Sequence, residues 1–132
     1  MILFTTTTIV PEVRAESHNP ISVEAWNNIN EAKAEYDRTL AILETILEDH
    51  PIAQNCGEAL RVLAASNDIV SAAQKVLTVS IESAIAVMES EEGLFTDEVA
   101  RIFVEANFFA LFVGRLNTML SGIMETVGDL CI

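Results

Sequence analysis

Residues 96–127 read TDEVARIFVEANFFALFVGRLNTMLSGIMETV, and this stretch decides the fold. Thr96 followed by Asp97 and Glu98 makes a helix start: a hydroxyl to cap free amides, then carboxylates beside the positive helix end. Gly128 is placed to end the same helix just after Val127. Between Ile102 and Val113 ten of twelve residues are apolar, more than one amphipathic stripe can hold. Ile102, Ala106, Phe109, Val113, Leu116 and Leu120 form one face, and Phe108, Leu111, Phe112 and Met119 form a second. A helix apolar all round belongs in the centre of a core, at a subunit interface or in a membrane. The run is too short for a span of about 20 residues, and Glu105, Arg115 and Glu125 interrupt any extension. A buried middle helix and a homodimer interface through the second face are the expectations. Ala110, Gly114, Thr118, Ser121 and Gly122 let another helix approach closely, although each glycine costs about 1 kcal/mol of helix propensity.

Working outward, residues 52–90 are helical by pattern. Asn55 and Glu58 fit the N-cap and N3 positions of a capping box. Cys56, Leu60, Leu63, Val70, Leu77, Ile81, Ala84 and Met88 share a stripe that also contains Asn67 and Gln74. The pattern predicts one long helix with an irregularity near Asn67, the alternative being a break at Ser66–Asp68 that caps a second segment. Another helix starts between Asn19 and Ser22 and runs to about Asp49, where Pro51 stops it. Its apolar face carries Trp26, Ile29, Tyr36, Leu40, Leu43 and Leu47, while Glu24, Glu31 and Glu35 lie roughly opposite. Past Arg38 the glutamate side turns apolar with Ile42 and Ile46. Short turns near 51–55 and 90–95 make successive helices antiparallel neighbours. The expected fold is therefore all-α, an antiparallel bundle of three to five helices over residues 22–132, with the last helix supplying most of the core. Residues 1–21 are expected to be an extended N-terminal arm and linker. Within them ILFTTTTIV at 2–10 is β-branched, so that a strand, an arm over the helices and a loosely ordered terminus all fit.

The 132-residue chain carries twenty acidic and seven basic side chains, a formal charge of −13, with 51% hydrophobic residues. That apolar content excludes a disordered chain. The charge opposes direct binding to nucleic acid, which needs cations against phosphates, and opposes adsorption on anionic membranes. It suits a protein partner with a basic surface, and equally serves solubility. Cys56 and Cys131 show no metal-ligand spacing; reduced thiols and a cytoplasmic location are the default expectation, with a disulfide open to them in an oxidising compartment.

No catalytic machinery, metal set or cofactor motif emerges. His18 and His50, the only histidines, each lie beside a proline-containing break and are expected at the surface. No paired Cys or His ligands, nucleophile elbow or glycine-rich phosphate loop is present. Glu31 with Glu35 and Glu44 with Glu48 repel modestly at helical spacing. Glu89, Glu91, Glu92, Asp97 and Glu98 gather around one turn with no base among them, which fits a solvated helix start, a surface imitating phosphate charge, or, poorly, a cation loop. Glu105, inside the apolar run, needs a partner if buried; Arg101 one turn earlier is the expected one, or else it sits exposed at the bundle's edge.

The functional expectation is a non-enzymatic protein-binding domain with two candidate surfaces. The acidic one comprises Glu24, Glu31, Glu35, Glu89, Glu91, Glu92, Asp97 and Glu98, and would meet a basic surface; a small phage or mobile-element inhibitor of a nucleic-acid-binding complex has this size and charge. The apolar one comprises Phe108, Leu111, Phe112 and Met119, and would suit a second copy or, in a helical adaptor or export-type chaperone, a partner helix.

Overall fold

A computed structural model describes residues 19–132. The expected arm at 2–10, Pro11 and His18 lie outside the described residues. Three helices follow one another: α1 (Pro20–Asp49), α2 (Cys56–Ser90) and α3 (Asp97–Cys131). The start of α3 packs against the start of α1, and its last turn reaches the start of α2, so α1 and α3 run parallel with α2 antiparallel between them.

Each helix begins where its chemistry dictates. Asn19 caps α1, its side chain accepting from the Ile21 amide, with Pro20 pre-set for the first turn. Asn55 accepts from the Glu58 amide at 2.9 Å and its Nδ2 donates to the Glu58 carboxylate, a variant of the capping box in which the side chains close the ring. Thr96 caps α3 by accepting from the Val99 amide. At the end of α2, Glu92 (φ 59°) and Gly93 (φ 78°) turn left-handed, and the Gly93 amide returns to the Met88 carbonyl at 2.9 Å.

The α1 stripe is as the periodicity indicates: Trp26, Ile29, Tyr36, Leu40 and Leu43 are fully enclosed. In α3 the first face is likewise the core face, with Ile102, Ala106, Phe109 and Leu116 buried. Four expectations change. α2, not α3, buries the most side chains, because it touches both neighbours while α3 leaves a broad side in solvent. Its buried face is centred to one side of that stripe: Ala59, Val62, Ala65, Ile69, Ala73, Val76, Ser80 and Val87 face inward together with the stripe's own Val70 and Ala84, whereas Leu60, Asn67, Gln74 and Ile81 are exposed. Small side chains let the two neighbours pack closely on one helix, whereas large ones would hold them apart. α2 also runs unbroken through Asn67 and Asp68, both at the surface, where water satisfies their side chains. α3 continues past Gly128 to Cys131, where Cys131 is joined to Cys56 by a disulfide. Among the described residues α2 is the helix long and apolar enough to cross a membrane, with mean hydropathy 1.3 in its richest window; a bundle's core helix meets the same criterion, and 44% of that window is buried.

Candidate functional site

The core falls into two clusters. One, at the start of α1, gathers Trp26, Ile29, Val87, Val99 and Ile102; the other gathers Tyr36, Leu40, Leu43, Ile69, Val76, Phe109, Leu116 and Ile123. Between them Lys33 Nζ of α1 meets Glu105 Oε2 of α3 at 3.0 Å, with only 4% of the lysine side chain exposed and 19% of the glutamate's. Glu105 is thus neither exposed nor paired with Arg101. Helical spacing shows neighbours within one helix, and this partner lies on another.

Arg101 serves instead at the end of the bundle. Its guanidinium lies 5.1 Å from the Trp26 ring centre and donates to Glu98 Oε2 at 3.3 Å. Glu98 Oε1 accepts from Ser22 Oγ and Trp26 Nε1. Glu98, expected in the partner-binding acidic surface, is therefore occupied by three groups of its own chain, and only 11% of its side chain is exposed. His50 is half-buried rather than at the open surface, its Nδ1 2.8 Å from Glu58 Oε1 across the α1–α2 turn.

The remaining acidic residues divide by place. Glu24, Glu31 and Glu35 line one side of a surface groove between α1 and α2. Two hollows of about 410 and 500 Å³ make up this groove, and both are lined by Glu31 and Lys75. From α2 come Asp68, Lys75 and Glu82. Glu89 continues that row at the same seven-residue interval, which returns to nearly the same helix face. The floor is small and apolar: Ala25, Ala32, Ala72 and Val79, with Ile21 and Ile42 exposed at its ends. Glu92 and Asp97 are exposed at the α2–α3 turn, where Glu91 is half-buried as the C-cap residue of α2. The α2 half of the groove was missed by the sequence reading, although the spacing 68, 75, 82, 89 was there to find it.

The apolar surface shrinks. Met119 is buried and Phe112 packs on the core edge to Tyr36, ring centres 6.0 Å apart. Phe108 and Leu111 are exposed, and Val104 joins them one turn earlier. Tyr36 itself contacts Phe109 edge-on at 5.4 Å, and its hydroxyl is buried with no hydrogen-bond partner among the described residues, as are those of Ser66 and Ser80. Burial, then the charges of Asp37 and Glu44, push the Tyr36 phenol up to about 12.

Chemically this arrangement offers charge and shape. Among the described residues no group of three or more His, Cys, Asp or Glu is gathered to hold a metal ion. No known protein family, curated protein or solved structure matches the chain.

Proposed function

We propose that the chain is a non-enzymatic protein-binding domain that meets a basic surface of another protein through its acidic α1–α2 side. The observation that supports this is the set of carboxylates with nothing to do inside the bundle: Glu24, Glu31, Asp68 and Glu82 line the groove without an ion-pair partner among the described residues. Like charges held near one another destabilise the free chain slightly, and a cationic surface relieves that repulsion on contact. The narrower form of the reading is an inhibitor that covers a partner's nucleic-acid-binding surface, as the size and the −13 charge suggest by analogy. The disulfide removes the argument from reduced thiols for a cytoplasmic location and supports an oxidising compartment.

The test is retention of proteins from the native host on the immobilised chain, compared with Glu24→Lys/Glu31→Lys/Glu35→Lys. Basic proteins held by the native chain, released between about 50 and 500 mM salt and lost by the variant are the expected result. Retention that is indifferent to both salt and variant overturns the reading.

A further inference from the structure

Resting on that reading, we propose that the α1–α2 groove is the docking site for one basic amphipathic helix of a protein partner. Shape is the first argument. α3 fills one side of the α1–α2 pair, and the groove lies on another side of it. From Ile21 to Ile42 it follows about 30 Å of α1, the length of a helix of about 20 residues. Alanines on its floor permit the close backbone approach that helix packing requires.

Chemistry is the second argument. An apolar floor between charged walls matches a helix whose apolar stripe is flanked by cations. Five carboxylates, Glu24, Glu31, Glu35, Asp68 and Glu82, face two cations, Arg38 and Lys75. Arg38 is already held by Glu35, donating from Nε at 3.1 Å. Lys75, midway, has no ion-pair partner among the described residues. The matching helix therefore carries Lys or Arg towards both ends of its groove-facing edges and an acidic or neutral residue near its middle. Ser83, 7% exposed, lines the same groove and offers a hydroxyl to an occupant.

A labelled peptide of about 20 residues, built of leucine, alanine and lysine with a helical apolar stripe flanked by lysines, is the probe. Its binding is read by fluorescence anisotropy against a scrambled peptide of equal charge. The expected result is affinity at least about tenfold above the scramble. Two substitutions of exposed groove residues, Ser71→Trp and Ala86→Trp, fill the groove without changing its charge, and far-ultraviolet circular dichroism confirms that each variant folds. Each is expected to lose about tenfold in affinity, as is Glu31→Lys. Equal binding of the scramble, or full binding by both filled variants, overturns the groove while leaving the acidic protein-binding reading standing. Absence of binding by both peptides also overturns the groove. The retention experiment on host proteins fails independently if the broader reading is wrong.

Discussion

The two ends of the bundle are held by opposite means. Where α1 and α3 begin, the small core around Trp26 is tied by polar groups: Glu98 collects Ser22, Trp26 and Arg101, and Asn19 Nδ2 donates to Ser90 Oγ at 3.0 Å. Where α1 and α3 end, the larger core is mainly apolar, without an ion pair inside it among the described residues, and is closed by the Cys56–Cys131 bond. Apolar packing tolerates sliding of one helix along another, whereas a buried carboxylate with fixed donors accepts a single register. The polar end thus sets alignment, and the covalent end limits the freedom of the unfolded chain.

The Lys33–Glu105 pair stands at the boundary, and removing half of it gives the largest expected effect. Lys33→Ala leaves Glu105 largely buried without its cation and is expected to cost about 3–5 kcal/mol in urea unfolding. Replacing both by apolar residues, Lys33→Met with Glu105→Leu, is expected to restore native stability or exceed it. A double variant as unstable as the single one would mean that the pair contributes more than charge balance, and that the boundary depends on its ionic character.

Breaking the other end is expected to cost somewhat less. Cys56→Ser with Cys131→Ser opens a link spanning 75 residues of sequence and should lower stability by about 2–4 kcal/mol. Hydrogen exchange should show the loss of protection concentrated in the last turns of α3 and the first of α2. Uniform loss across the Trp26 end would erase the distinction between the two ends.

Alkaline pH probes the apolar cluster through the difference between the native chain and Tyr36→Phe, because lysines ordinarily lose their charge in the same range. Because the Tyr36 phenol is raised from 10 to about 12, its neutral form is favoured by the fold; the associated stability is full below pH 10 and is lost as pH rises through 12. The tyrosine's share of the loss approaches about 2–3 kcal/mol, and Tyr36→Phe should lose less stability than the native chain by that amount. At neutral pH that variant should match or slightly exceed the native chain, since the hydroxyl it removes has no partner among the described residues. Thermal melts at pH 7 and across pH 10–12 check both statements.

These contrasts also explain what was legible in the sequence. Helix starts were readable because Asn19, Asn55 and Thr96 act through their own next turn. The α1 stripe was readable because large apolar residues sit on its buried side and charges opposite. α2 misled because hydrophobicity marks leucine above alanine and serine, while a helix packed against two neighbours needs small residues inward. The period was right and the phase was off by part of a turn, so that Val70 and Ala84 are buried while Leu60 and Ile81 are exposed. Lys33 with Glu105, Arg101 with Trp26, and the meeting of the two groove walls are contacts between helices, invisible to spacing within one, although each wall's own row is not. Phe112 and Met119 turned inward because α3 meets its neighbours over a wider arc than its first apolar face alone.

The smallest expected effect concerns the outer side of α3, which belongs to neither end. Gly114 and Gly122 sit in mid-helix with nothing within 4 Å of a Cβ placed on either. Inside the described bundle their glycine character therefore has no packing reason, and alanine at each should stabilise by about 1 kcal/mol through helix propensity alone. For a chain of this size that raises Tm by about 4 °C per site, measured by calorimetry at two protein concentrations. Val104, Phe108 and Leu111 are exposed along the same outer side. A second copy packed there would use the glycines for close approach, and a methyl group would then separate the two backbones. In that case Tm would rise with concentration in the native chain, and alanine would lower it at the higher concentration. Stabilisation of equal size at both concentrations leaves this side to solvent and the acidic groove as the surface to which a partner comes.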